Sequence, residues 1–254
     1  MRWKNVLLTM ASYQLSRRRP QLMKALIRKG LERHVPAGYD IDTHFNPRYD
    51  PWDQRLCLVP NGDLFKALSA GRASVVTDEI DTFTETGIRP RSGRDLDADL
   101  IVTATGLNLL ALGGMQLSVD GRAVRIPETV SYKGMMLSDV PNMAMALGYA
   151  NASWTLKCDL TCAYVCRLLA YMDGHGYSHC TPRNRDPPLG TEPFINLSSG
   201  YVLRPIDTLP RQGSRRPWRL YQNCALDLVS LRLASLADDA REFSGRPVAV
   251  APSG

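Results

Sequence analysis

The chain has 254 residues, 44% of them apolar and 22% charged, with a formal net charge of +6. That is the make-up of a soluble globular chain able to bury a core as one large domain or two small ones, and six cysteines over this length exclude a small secreted disulfide framework. The basic excess is concentrated in residues 1–33, which hold nine Lys or Arg and one acid, Glu32; no aromatic–basic stacking platform or zinc pattern joins them, so a nucleic-acid partner is not expected.

Trp3, Val6, Leu7, Met10 and Tyr13 recur at helical spacing, as do Leu22, Met23, Leu26, Ile27 and Leu31. Two helices joined at Pro20 are therefore predicted, with solvated basic faces. A basic segment of this kind also suits an anionic membrane surface or a phosphate-bearing cofactor, so peripheral membrane association stays open. Residues 38–62 form a connection rich in Pro and Asp. Inside it a turn, Asp50-Pro51-Trp52-Asp53, runs into Gln54, Arg55 and the apolar Leu56, Cys57, Leu58 and Val59, which read as a short buried strand. Arg55 cannot lose its charge, so at such a junction it needs a partner or a task. Asp50, Asp53 and Asp63 are the candidate ion-pair partners.

Asn61 or Gly62 is positioned to cap a short helix over residues 63–68. Residues 74–77 and 79–84 alternate in strand fashion, with turns at Gly87 and at Ser92-Gly93. Residues 100–104 are a continuous apolar run that reads as a buried strand, ended by Thr105-Gly106. Residues 117–126 read as a hairpin around Asp120-Gly121. A strand over 142–147, a loop from Gly148 to Ser153 and a long apolar helix over 153–172 follow. Lys157, Asp159 and Arg167 interrupt that helix, which favours a buried helix over a membrane span.

Cys158, Cys162 and Cys166 lie four apart on the same helix. Their Cβ atoms would be about 5–6 Å apart, too far for a disulfide. They read as small packing residues in a reducing compartment, so a cytoplasmic location is expected. Residues 181–219 carry seven prolines and read as loop-rich and partly mobile. One more helix is predicted near 222–236. His34, His44, His175 and His179 show neither a nucleophile–base arrangement nor a metal spacing.

Several segments, in order, resemble the FAD- and NADPH-dependent monooxygenases of the Baeyer–Villiger type. They are YDPWDQRLCLVPNGDL at 49–64, the ATG-bearing stretch at 98–108, YKGMML at 132–137, PNMA at 141–144, GYANASWT at 148–155, and GS at 213–214 with PWR at 217–219. The likeness begins near Arg2 and runs almost to the end. No G-x-G-x-x-G is found; Gly113-Gly114 and Gly174-His-Gly176 lack the third glycine and the strand–turn–helix setting.

The expected fold class is thus α/β: the C-terminal part of a flavoprotein with two Rossmann-like dinucleotide-binding domains, lacking the N-terminal Gly-rich FAD half. Its expected divisions are 1–104 (helical segment and part of the NADPH-domain region), 105–180 (returning part of the FAD domain) and 181–254 (a C-terminal segment packing back on the enzyme). The resemblance implies FAD and NADPH as cofactors, O2 and a ketone, sulfide or thiocarbonyl compound as substrates, and oxygenation through a C4a-peroxyflavin. A separately encoded N-terminal half is an expected partner if the chain is partial, and the chain alone is expected to be inactive. The alternative is a non-catalytic interaction protein derived from such an enzyme.

The resemblance also assigns residues. The active-site arginine falls on Arg55, a permanent cation suited to an oxygen anion and to the nicotinamide. Its neighbour Gln54 stands where some relatives have lysine. Thr105 and Gly106 fall beside FAD. Asn151, Ala152 and Ser153 are the expected flavin contacts, and N-capping by Asn151 or Ser153 is the purely structural alternative. Lys133 and Trp154 are placed near the substrate region or in the packing.

Overall fold

The computed structural model describes residues 2–57, 59–185 and 190–245. It mixes helices and strands and divides into two compact units, one of residues 12–107 and one of residues 1–11 with 108–254.

In the first of these, α1 (Arg2–Arg18) ends and α2 (Pro20–Leu31) begins. Pro20 takes the first helical position of α2, where its missing N–H costs no hydrogen bond. Both helices finish on cations, Arg17 and Arg18 in one and Arg28 and Lys29 in the other, the favourable sign for a helix C-terminus. The short α3 (Ile41–His44) is capped by Asp40, whose carboxylate accepts the Thr43 N–H at 3.0 Å. The helix expected at 63–68 is α4 (Asp63–Ser69); Gly62 precedes it with φ 65°, a left-handed entry that glycine tolerates.

Strands β1 (Ile80–Phe83), β2 (Gly87–Pro90) and β3 (Leu96–Asp97) then form an antiparallel sheet in that order. At Gly87 a Cβ would lie 1.9 Å from the Leu96 carbonyl oxygen, so the close approach of β2 to β3 requires glycine.

Three expectations fail in this unit, the first being the strand read over residues 74–77, which join none. Residues 55–57 and 59 form no strand, and Leu58 lies outside the described residues. Residues 100–104 join no ladder, and Leu100 and Val102 are 80% and 79% exposed. A strand apolar on both faces needs neighbours on its edges and layers over its faces. Among the described residues this unit supplies neither.

In the second unit, β4 (Ser118–Val119) and β5 (Arg122–Ala123) form the expected hairpin. Asp120 and Gly121 have φ of 51° and 78°, the left-handed pair that a two-residue turn demands. Strands β6 (Ser131–Tyr132) and β7 (Met136–Leu137) pair across a second turn with left-handed Lys133 and Gly134. Residues 142–147 alternate in burial as a strand would but join no ladder.

The long helix is α5 (Trp154–His175), closed by left-handed Gly176. Its Leu160, Tyr164, Leu168 and Met172, four apart, make one buried stripe. That stripe packs with Val130, Tyr132, Met135, Met136, Cys180, Trp218 and Leu231 into the core of the unit. Among the described residues no helix is long and apolar enough to cross a membrane.

All six cysteines are free thiols. Cys162 and Cys166 are exposed rather than packed, because they sit two residues, about 200°, from the buried stripe.

The chain continues through β8 (His179–Pro182), β9 (Thr191–Pro193), α6 (Gly200–Leu203), β10 (Arg211–Gly213), α7 (Cys224–Leu228) and β11 (Arg241–Ser244). Helix α7 runs on into a wider π-type turn over Val229–Leu233, so the helix expected near 222–236 is shorter and ends as a π turn. Strands β8 and β11 pair with each other, as do β9 and β10. Despite its prolines this region is tied down where it is described. Trp218 is buried edge-on against Tyr132, and the Lys133 N–H donates to the Pro217 carbonyl at 2.8 Å. Pro187 and Pro188 lie outside the described residues.

Candidate active site

In the unit of residues 12–107, the turn before Arg55 is fastened on both sides. The Asp53 N–H donates to the Asp50 carbonyl at 3.0 Å, and the Asp50 N–H to Asp53 Oδ2 at 3.2 Å. Trp52, at φ 73°, sets its ring edge-on to Tyr13 of α1 with centroids 5.5 Å apart. One helical turn further on, Arg17 Nη1 meets Asp53 Oδ1 at 2.7 Å, and Lys24 of α2 meets Asp50 at 2.9 Å. The Arg17 hydrogen bond holds the Asp53 carboxyl below its ordinary range. Asp63 is engaged by Lys66 at 3.4 Å.

All three carboxylates that sequence offered to Arg55 are thus taken by other cations. Arg55 itself is exposed and makes no ion pair among the described residues. Gln54 is half-buried and bridges back to Pro51. Thr105 and Gly106 follow residues 100–104 and are exposed, Gly106 with φ 100°.

In the other unit, the Gly148–Ser153 loop feeds the N-terminus of α5. Ser153 occupies the N-cap position, but its side chain caps no backbone N–H; its hydroxyl lies 2.9 Å from the Thr155 hydroxyl. The Leu156 N–H donates to the Ser153 carbonyl at 3.3 Å, which leaves the Trp154 and Thr155 N–H groups at the start of this 22-residue helix to another acceptor. Asn151 is 7% exposed; Ala152 is half-buried and Ser153 exposed. Asn151 Nδ2 donates to the Gln222 carbonyl at 2.9 Å, while Asn151 Oδ1 is buried with no hydrogen-bond partner. The Ala150 N–H donates to Gln222 Oε1 at 2.9 Å. A Cβ on Gly148 would lie 2.3 Å from Trp154 Cγ, so this glycine lets the loop fold close onto the start of α5.

Sequence reasoning missed what braces this loop. Tyr149 Oη donates to Asp227 Oδ2 at 2.7 Å, and Lys157 Nζ lies 2.8 Å from the same oxygen. Burial, then the Asp227 charge, pushes the Tyr149 phenol far up, so it stays a donor. Asn223 caps α7, its side chain accepting from Ala225 and Leu226 N–H. Residues 222–227 therefore hold residues 149–151 by both backbone and side chain. Only the buried-helix reading around Lys157 hinted at this, since a lysine inside an apolar helix demands a partner.

A second unpredicted cluster lies beneath β6. Tyr132 Oη donates to Asp238 at 2.6 Å, and Arg241 Nη2 reaches the same carboxylate at 3.4 Å. The Arg241 guanidinium stacks over the Tyr132 and Tyr164 rings at 5.5 and 5.6 Å. Lys133, its side chain 7% exposed, sits 3.4 Å from Asp238, and burial lowers its pKa. Lys133 is thus packed beside aromatic rings, while Trp154 is 51% exposed.

No protein-family model matches the chain. The FAD-containing monooxygenase EthA of Mycobacterium tuberculosis is 50% identical over 250 residues, 98% of this chain and 51% of that protein. The FAD-containing monooxygenase EthA of Mycolicibacterium smegmatis is 48% identical over 252 residues, 99% of this chain and 51% of that protein. The chain spans about half the length of these relatives. Over nearly every one of its residues the chain is similar in sequence to about half of each of these FAD-containing monooxygenases.

Proposed function

We propose that the chain is the C-terminal part of a two-domain, Rossmann-like flavoprotein monooxygenase that uses FAD, NADPH and O2 to oxygenate a ketone or a sulfur-bearing small molecule in the cytoplasm. The carrying observation is the Gly148–Ser153 loop. It offers the first two N–H groups of α5 near a buried, unpartnered acceptor, Asn151 Oδ1. An isoalloxazine edge has matching chemistry, with a carbonyl that builds negative charge on reduction and an adjacent ring N–H donor. These residues therefore fit one edge of a flavin. The adenosine and pyrophosphate of FAD need a glycine-rich turn, which this sequence does not contain.

When bound, FAD supplies the electron transfer and oxygen activation. The chain's own residues bind and orient. The Asn151 carboxamide would supply an acceptor, and the first N–H groups of α5 would favour negative charge on the flavin. Gln222 and Asp227 would keep the loop in register. Arg55, a cation that stays charged, would hold an oxygen anion or the nicotinamide carboxamide. Its freedom from Asp50, Asp53 and Asp63 leaves its donors for that use. Thr105 and Gly106 would approach the cofactor by backbone.

The test is a chimera. The 254 residues are joined behind the half of the Mycolicibacterium smegmatis relative that they do not span. A yellow protein that retains FAD and forms sulfoxide or ester with NADPH and O2 supports the reading. A soluble chimera that holds flavin but oxygenates neither a sulfide nor a ketone removes it.

A further inference from the structure

We infer that the cleft between Lys133 and the Arg215–Tyr221 segment binds the phosphate groups of a ligand carrying at least two of them. The cleft has a volume of about 780 Å³ and lies within the unit of residues 1–11 and 108–254. Six cations line it, Lys133, Arg183, Arg185, Arg215, Arg216 and Arg219, against three carboxylates, Asp227, Asp238 and Asp239. Two of those carboxylates are already engaged. Asp227 is held by Lys157 and Tyr149, and Asp238 by Tyr132, Lys133 and Arg241. Among the cations, Arg183 and Arg185 are paired with Asp139 and Glu242, and Lys133 with Asp238, which leaves Arg216 and Arg219 to meet an anion.

The arrangement of the cations favours phosphate. Arg216 and Arg219 carry no ion pair among the described residues; their guanidinium carbons lie 5.0 and 5.8 Å from the Tyr221 ring centre. Stacking occupies their faces and leaves N–H edges outward, although Arg219 Nη1 also donates to the Ser214 carbonyl at 3.2 Å. Those edges fit two oxygens of one phosphate each. The floor is fixed. Lys133 is 7% exposed at its side chain and is tied to the Arg216–Arg219 segment by the Lys133 N–H to Pro217 carbonyl bond at 2.8 Å. A single carboxylate would satisfy one fork; two forks beside one Tyr221 ring call for clustered negative charge, as in a diphosphate.

None of residues 148–153 lines the cleft, and its test needs neither flavin nor turnover. The purified chain is titrated calorimetrically with pyrophosphate, with ADP and with phosphatidate vesicles. We expect saturable one-to-one binding of pyrophosphate that weakens steeply with salt. The double variant Arg216→Ala/Arg219→Ala, both exposed positions, should lose at least tenfold in affinity with an unchanged circular dichroism spectrum. Lys133→Met should weaken binding as well. Tighter binding of ADP than of pyrophosphate would identify a nucleotide as the source; equal binding would point to free diphosphate. No saturable binding, equal affinity in the double variant, or binding to vesicles alone would overturn the proposal.

Discussion

Lys157 Nζ lies 2.8 Å from Asp227 Oδ2, and both side chains are at least nine-tenths buried, at 5% and 10% exposure. The pair joins α5 to α7, and Tyr149 adds a third bond to the same oxygen. Breaking one side of such a pair strands the other charge in the interior. We expect Asp227→Ala to cost about 3–5 kcal/mol in chemical denaturation, and Lys157→Met combined with Asp227→Leu to recover most of it. A loss below about 1 kcal/mol, the level of a surface pair, would show that the pair does not hold the loop.

Alkaline pH should weaken the same unit. Burial raises the Tyr132, Tyr149 and Tyr164 phenols above their ordinary value of 10.0. Above pH 10 the unfolded chain releases these protons while the folded chain keeps them, so stability falls as pH rises. Lys133 acts in the opposite direction up to 10.5, because burial lowers its pKa and the unfolded chain binds that proton more tightly. Above both values the tyrosines decide the slope. Tyr164 makes only a 3.5 Å contact with Tyr132 Oη. Tyr164→Phe should therefore flatten the fall, read from denaturation midpoints between pH 10 and 11.

Gly148 tests how closely the loop must approach α5. An added Cβ would stand 2.6 Å from the Trp154 Cα, which is backbone and cannot swing aside. Gly148→Ala should cost about 1–3 kcal/mol and displace residues 149–151. Hydrogen exchange at the Ala150 N–H, which Gln222 now protects, would speed up; unchanged protection would mean that the loop accommodates the methyl group.

What the sequence made legible is what depends on neighbours in the chain. Pro20 marked the joint of α1 and α2, Asp120-Gly121 marked the turn of β4 and β5, and Gly62 marked the entry to α4. Residues 100–104 misled because an apolar run states that a segment wants burial, not that anything covers it. The Asp227 and Asp238 clusters were invisible for another reason. They join residues 70 to 106 positions apart, and no local pattern says which buried cation finds which carboxylate. Arg55 lies between these cases. Its setting was legible, but only the structure shows Arg17, Lys24 and Lys66 taking the acids around it.

The exposed run at 100–104 predicts behaviour in solution. Leu100 and Val102 are 80% and 79% exposed in a segment that joins no ladder. Such a segment invites pairing between copies. Val102→Lys should raise the soluble concentration of the chain without lowering its unfolding midpoint, as judged by light scattering and denaturation. A lower midpoint would mean that Val102 is buried in solution.

Arg55 gives the sharpest separation of stability from function. It is exposed and makes no ion pair among the described residues, so the chain's fold does not rest on it. In the 254-residue chain, Arg55→Ala should shift stability by less than about 0.5 kcal/mol. In the chimera it should keep FAD, since the loop before α5 is untouched, yet lose oxygenated product. NADPH would still be consumed, more slowly if the guanidinium also touches the nicotinamide, and hydrogen peroxide would be released instead. Arg55→Lys restores a charge but not the planar fork, and is expected to recover little. Full product formation by Arg55→Ala would remove this residue from the chemistry; loss of FAD would make its role one of binding.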